Sequence, residues 1–156
     1  MVISFTSTGE VQLKAKNGTV VLGATPRIEA FELTGPGEYD IAGIQCDGHS
    51  AGSGVLYTFR TEDLVVSFVT QLDPAVAKLD DASDAHVLVF DLKSDDDPAA
   101  LKNLVKSLEP SFVVLSGAGA TAEAAAALGL PAIEESSLKL TRAGLPLEGT
   151  SLLSPV

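Results

Sequence analysis

Gly35-Pro36-Gly37-Glu38-Tyr39-Asp40-Ile41-Ala42-Gly43-Ile44 is the stretch on which the reading of the fold turns. Proline fixes φ and a flanking glycine can supply φ > 0, so Gly35-Pro36-Gly37 predicts a hairpin turn between two strands. Residues 39–46 read as the strand that follows, with Gly43 marking a bulge or a close backbone approach. Glu38 is either a partner for the turn amides or a solvated side chain.

On either side of that stretch the first half of the chain is strands and turns. Residues 2–5 and 11–15 flank a turn at Thr8-Gly9-Glu10, and the second of them alternates apolar with polar, as a half-buried strand does. Asn17-Gly18 is a two-residue hairpin signal leading into residues 19–22. Residues 28–33 form a further strand. Residues 48–54 are small and polar, hence a loop, and residues 55–59 and 64–69 make a hairpin around Thr61-Glu62-Asp63.

After Leu72 the pattern changes. Asp73-Pro74 opens a short helix with Leu72, Val76 and Leu79 apolar, and residues 85–90 are a continuous apolar run of buried-strand length. Asp97 is an N-cap with Pro98 at the first helical position, and that helix runs to Leu108, burying Leu101, Leu104, Val105 and Leu108. Residues 111–115 are a strand, 121–128 a helix and 131–133 a short strand. Residues 137–141 and 145–153 close the chain as a hairpin around Arg142-Ala143-Gly144. The expectation is one domain over residues 1–156, a β-rich half followed by β-α-β-α and a terminal hairpin.

Composition narrows the function. At 156 residues and 46% apolar, with a mean hydropathy of +0.28, the chain folds around a real core. Net charge is −11, and ten Lys and Arg residues are scattered without a stripe, which speaks against nucleic acid and anionic membrane as partners. No run approaches the ~18 apolar residues of a spanning helix, and residues 1–10 lack the basic region and apolar core of a signal peptide. Cys46 alone excludes an internal disulfide and a cysteine zinc site, and fits a reducing cytoplasm as a half-buried strand thiol.

Candidate chemistry is sparse. Hydrolytic zinc needs three protein ligands, usually with imidazoles among them. Here His49 and His86 lie 37 positions apart; His86 begins a buried strand and His49 sits in a glycine-serine loop. Asp91, Asp95, Asp96 and Asp97 lack the spacing of a Ca²⁺ loop and read as carboxylates at a helix start. Gly117-Ala118-Gly119-Ala120-Thr121-Ala122 has the Gly-x-Gly-x-x-Ala form of a dinucleotide turn, with Glu134 and Glu135 about where an acidic partner belongs. Too little chain follows for a doubly wound sheet, so a tightly packed glycine turn is the alternative to a nucleotide-binding module. Gly52-Ser53-Gly54 falls short of a nucleophile elbow.

The segment from Gly35 to Ile44 resembles a hallmark of the small UlaG-like branch of metallo-β-lactamase-fold hydrolases, which carry a near-identical Gly-Pro-Gly-Glu-Tyr turn, a strand and a second glycine. The resemblance implies an α+β fold, a β-sandwich flanked by helices on one side or both. It also implies what is missing, because the family's His-x-His-x-Asp-His motif occurs nowhere. Only residues 25–34 separate the third strand from the Gly-Pro-Gly turn, so the metal loop looks deleted and the fold truncated. Thr6-Ser7-Thr8-Gly9 stands in place of a Gly-His-Ser turn, and Gly23-Ala24 in place of Asp-Pro. Ser67-Phe68-Val69-Thr70 stands where relatives have His-x-Gly-Asp, whose aspartate bridges the metals, and Ser116-Gly117 where a late histidine ligand belongs. His49 falls near a position where relatives carry a histidine. His49, Ser67, Thr70 and Gly117 are thus vestigial site positions, with no catalytic residue, metal or cofactor expected. The implied function is a non-catalytic binding or assembly role; the alternative enzyme would be a hydrolase with a site rebuilt near His49. Finally, the alanine-rich helix at residues 121–128 has a single charge and no distinct polar face, which predicts a homodimer or another protein partner.

Overall fold

The computed structural model describes residues 1–154. Five short strands form one antiparallel meander: β1 (Val2–Phe5), β2 (Val11–Lys14), β3 (Thr19–Leu22), β4 (Arg27–Ile28) and β5 (Phe31–Glu32). The chain then crosses to a second sheet, where β6 (Gly37–Ile41), β7 (Ile44–Ala51), β8 (Gly54–Thr61) and β9 (Leu64–Val69) are antiparallel neighbours. A 3-10 turn, Pro74–Lys78, and α1 (Asp80–Ser83) lead to β10 (Val87–Asp91), and α2 (Pro98–Leu108) leads to β11 (Phe112–Ser116). Both strands join in parallel, which requires such crossovers. After α3 (Ala122–Leu128), β12 (Ala132–Glu134) forms an edge of the large sheet. β13 (Ser137–Lys139) returns to the small sheet beside β1, and β14 (Ser151–Ser154) inserts between β11 and β12. The orders are β13-β1-β2-β3-β4-β5 and β12-β14-β11-β10-β9-β8-β7-β6.

Two apolar layers follow from the side-chain period of two. Ile3, Leu13, Leu22, Phe59, Phe68, Val89 and Val114 fill the space between the sheets. Leu56, Leu88, Phe90 and Val113, on the other face of the large sheet, pack with Val76, Ala82, Leu101, Leu104 and Leu128. Residues 85–90 read as a continuous apolar run because β10 is covered on both faces, whereas Gln12 and Lys14 of β2 face away from the only layer that β2 contacts. The described helices all pack on the large sheet, so the sandwich is flanked on one side.

Several local expectations hold. Asp97 caps α2, its Oδ1 accepting from the Ala99 amide at 3.1 Å, and the helix ends at Leu108. Asp73 caps the 3-10 turn in the same way, at 2.8 Å to the Ala75 amide.

Others are corrected. Gly35-Pro36-Gly37 is not a hairpin turn; it crosses from the edge strand of the small sheet to the edge strand of the large one. Gly35 and Gly37 have φ of +153° and +151°, and the Tyr39 hydroxyl donates to Gly35 O at 2.7 Å, tying the turn down. Residues 39–46 are a hairpin rather than one strand: Ile41 pairs with Ile44, and Ala42 and Gly43 turn the chain with φ of +53° and +75°. That is the I′ signature, and alanine concealed it. Residues 48–54 are no loop, since Gly48, His49, Ser50 and Ala51 pair with Tyr57, Leu56, Val55 and Gly54. Residues 28–33 hold two short strands around Glu29, at φ +52°. The terminal hairpin does not form, because β13 and β14 belong to different sheets.

Candidate functional site

Strand alternation aims one polar row at the helical side of the large sheet. Asp47 on β7, Thr58 on β8 and Ser67 on β9 are cross-strand neighbours. Thr58 and Ser67 are fully buried, and their hydroxyls lie 2.8 Å apart. Ser67 also lies 3.1 Å from Asp81 O, which it reaches as donor, linking the sheet to α1. One guanidinium completes the network: Arg60 donates to Asp47 Oδ2 and to Asp81 Oδ1, both at 2.7 Å. His49 Nε2 is 3.3 Å from Asp81 Oδ2, but without hydrogen-bond geometry; that buried oxygen has no hydrogen-bond partner among the described residues. The close approach is therefore a charge contact only when His49 is protonated. The imidazole itself is 53% exposed.

A second cluster gathers at the C-terminal ends of the parallel strands, the end where α/β sheets place their ligands. Thr70 follows β9, with its Oγ1 accepting from the Val55 amide at 2.8 Å and reaching Val55 O at 3.0 Å. Lys93 follows β10. Its ammonium donates to Asp91 Oδ2 at 2.9 Å, Thr70 O at 3.3 Å and Asp91 O at 3.4 Å. Gly117 follows β11 at φ +86°, where a Cβ would strike Asp91 Oδ1 and Leu92 O. Gly119 is as constrained, against Lys93 O. Backbone donors of this turn are spent inside the protein: Gly119 N on Leu92 O, Ala120 N on Gly117 O and Thr121 N on Gly119 O. Thr121 Oγ1 takes the Ala124 amide. The glycines thus serve close packing, and the Gly119, Ala120, Thr121 and Ala124 amides, which could otherwise turn to a phosphate, are occupied. Glu134 lies on the edge strand β12.

Beside this cluster a groove of about 470 Å³ opens between the Thr6-Ser7-Gly9 turn and Ser116-Gly117, floored by Leu115 and Leu153. Its Thr6 Oγ1 accepts from the Glu10 amide at 3.1 Å, and the Ser116 hydroxyl donates to Phe90 O at 3.0 Å.

The four positions expected from the resemblance to be vestigial, His49, Ser67, Thr70 and Gly117, fall into two pairs. His49 and Ser67 both meet Asp81 on the helical face, while Thr70 and Gly117 sit at the strand ends around Asp91 and Lys93. They do not converge on one site. Zinc does not fit these positions: His49 offers the single imidazole, serine, threonine and glycine add no imidazole or carboxylate, and no three His, Cys, Asp or Glu side chains are gathered for a metal among the described residues. Cys46 lies between the sheets, where burial foremost, with Asp47 adding, pushes its thiol up to about 12. It is a core residue, not a nucleophile. His86 accepts the Val65 amide on Nδ1 at 2.9 Å, and burial foremost, then Arg142, lowers its pKa. Ser53 turns the chain between β7 and β8, away from any helix start.

Arg60, Asp81 and Lys93 were missed from sequence. Arg60 and Asp81 stand 21 positions apart, and only the β8 register with the α1 crossover joins them. Lys93 alone carried a faint signal, as a base between Asp91 and the aspartates that follow.

No family model matches the sequence, and neither does any curated protein. Among solved structures, the chain is similar to a Thermotoga maritima protein named for a Zn-dependent hydrolase of the metallo-β-lactamase superfamily. The superposition has a TM-score of 0.71 and covers 100% of both chains at 15% sequence identity. No helix among the described residues is long and apolar enough to cross a membrane. The two sheets with helices against the larger one are the fold of the metallo-β-lactamase superfamily.

Proposed function

We propose that this chain is a non-catalytic, UlaG-like member of that fold, kept for binding or assembly. One observation carries the reading. Where the resemblance assigns the metal-bridging aspartate and the late histidine, this chain has Thr70 and Gly117, and the cation beside them is the Lys93 ammonium on three oxygens. A fixed positive charge there repels a divalent ion that the remaining single carboxylate, Asp91, is too little to hold. Residues 25–34, taken up by β4, β5 and the turn between them, leave little room for a metal loop, which supports its loss. The buried thiol of Cys46 suits a reducing compartment such as the cytoplasm.

The test is a hydrolase screen with phosphodiester and ester substrates, run with added Zn²⁺ or Mn²⁺. The expected outcome is no turnover above the uncatalysed rate. Metal-dependent turnover would overturn the reading, and its loss in His49→Ala would move the activity to a rebuilt site at His49, Asp81 and Arg60. That alternative draws on the His49–Asp81 approach of 3.3 Å.

The assembly role is a homodimer through α3. Ala124 and Leu128 of α3 face the core, and Ala122, Glu123 and Ala126 remain exposed. Sedimentation at micromolar concentration is expected to give twice the 16.0 kDa of one chain; a clean monomer would leave those alanines as helix formers alone.

A further inference from the structure

Another groove of about 470 Å³ lies on the helical side, between the 3-10 turn Pro74–Lys78 and α2. Leu72, Pro74, Ala77, Ala100 and Leu104 give it aliphatic walls. Asp73, Asp95, Asp96 and Asp97 also line it, and no basic residue does. Two of these carboxylates cap helical turns: Asp73 Oδ1 takes the Ala75 amide and Asp97 Oδ1 the Ala99 amide. Asp96 Oδ2 accepts from the Lys93 amide at 2.7 Å. Each of these three keeps a second oxygen without a hydrogen bond among the described residues, and Asp95 makes none there. None of the four is in an ion pair, whereas Asp47, Asp81, Asp91 and Glu62 all are. An apolar trough bordered by unneutralised carboxylates is complementary to apolar side chains followed by positive charge.

We propose that this groove docks a basic amphipathic segment of a partner protein, with one or two aliphatic or aromatic side chains in the trough and Lys or Arg over the aspartates. A second copy of this chain is the poorer occupant, because its net charge of −11 repels the same rim. The proposal does not rest on the loss of catalysis, since an active enzyme could carry the same surface.

The test titrates the full chain into a fluorescein-labelled Leu/Lys amphipathic peptide of about twelve residues, followed by anisotropy, with a Leu/Glu peptide of the same pattern as control. The expected result is saturable binding of the Leu/Lys peptide alone, with amide shifts in NMR confined to residues around Ala77 and Ala100. Asp95→Lys should weaken binding about tenfold, and Asn103→Trp, which fills the trough from an exposed position, at least as much. Absence of binding at ~100 µM, a range where even weak docking registers, would overturn the proposal. So would shifts spread over the whole acidic surface, or equal binding of the Leu/Glu peptide. The shift map of the unaltered chain decides the matter even if a variant fails to fold.

Discussion

The two halves of the large sheet bury their helical faces in opposite ways. Beneath α2 and α3 the parallel half, β10, β11 and β14, is dry: Leu88, Phe90, Val113, Leu115 and Leu152 face helix side chains. Beneath α1 the antiparallel half carries Asp47, Thr58, Arg60 and Ser67, every one of them hydrogen-bonded. The parallel strands must be covered on both sides, so their chemistry is displaced to the strand ends, where Thr70, Asp91, Lys93 and Gly117 meet. The antiparallel strands tolerate a polar face, and there charge is used to fix α1. At the first place the polar groups close on one another, Lys93 on Asp91 and Thr70 O and Thr70 on Val55; at the second they tie the sheet to α1.

The largest test of this contrast removes packing from the dry half. Phe90 is fully buried, so Phe90→Ala should cost about 3–5 kcal/mol, read as a shift in urea midpoint at constant slope. Next comes the polar half. Arg60→Met strands Asp47 and Asp81, and because Arg60 is 35% exposed the loss is discounted to about 1–2 kcal/mol. If it were instead neutral, the network would be ornamental and the two halves would not differ in kind. Asp97→Ala removes one cap from α2, at about 1 kcal/mol, and should leave the β7–β8–β9 amides as protected from exchange as before.

The smallest effect is one of pH. His86 takes the Val65 amide on Nδ1, which needs a neutral imidazole, and its folded pKa lies below the histidine value. The unfolded chain therefore binds the proton more readily. Stability falls as pH drops from about 6.5, the unfolded value, toward the folded one, and is regained on raising pH. His86→Gln should flatten that slope relative to the parent chain. An unchanged slope would mean that the imidazole is not held neutral where β9 and β10 begin.

What the sequence made legible follows the same division. Residues 85–90 and the α2 span from Asp97 to Leu108 were readable because burial on two faces and a cap with proline are local signals. Residues 48–54 were misread as a loop: glycine, serine and histidine carry weak strand preference, and only pairing with β8 makes them β7. The ends of the chain alternate correctly, but alternation cannot tell which sheet takes β13 and which takes β14. The candidate site was read from the sequence as a set of expected losses, with Ser67, Thr70 and Gly117 set against the family's ligands by the resemblance alone. Its positive content was not, because Arg60 meets Asp81 only through the crossover that carries α1, and Lys93 meets Thr70 only because β9 and β10 end side by side.

The most direct measurement is metal stoichiometry. The full chain is equilibrated with Zn²⁺ or Mn²⁺, dialysed and analysed for metal per chain, beside Lys93→Ala. The account predicts no stoichiometric metal in the parent chain, and at most weak, exchangeable binding at Asp91 once the Lys93 ammonium is gone. One or two ions per parent chain surviving dialysis would contradict it.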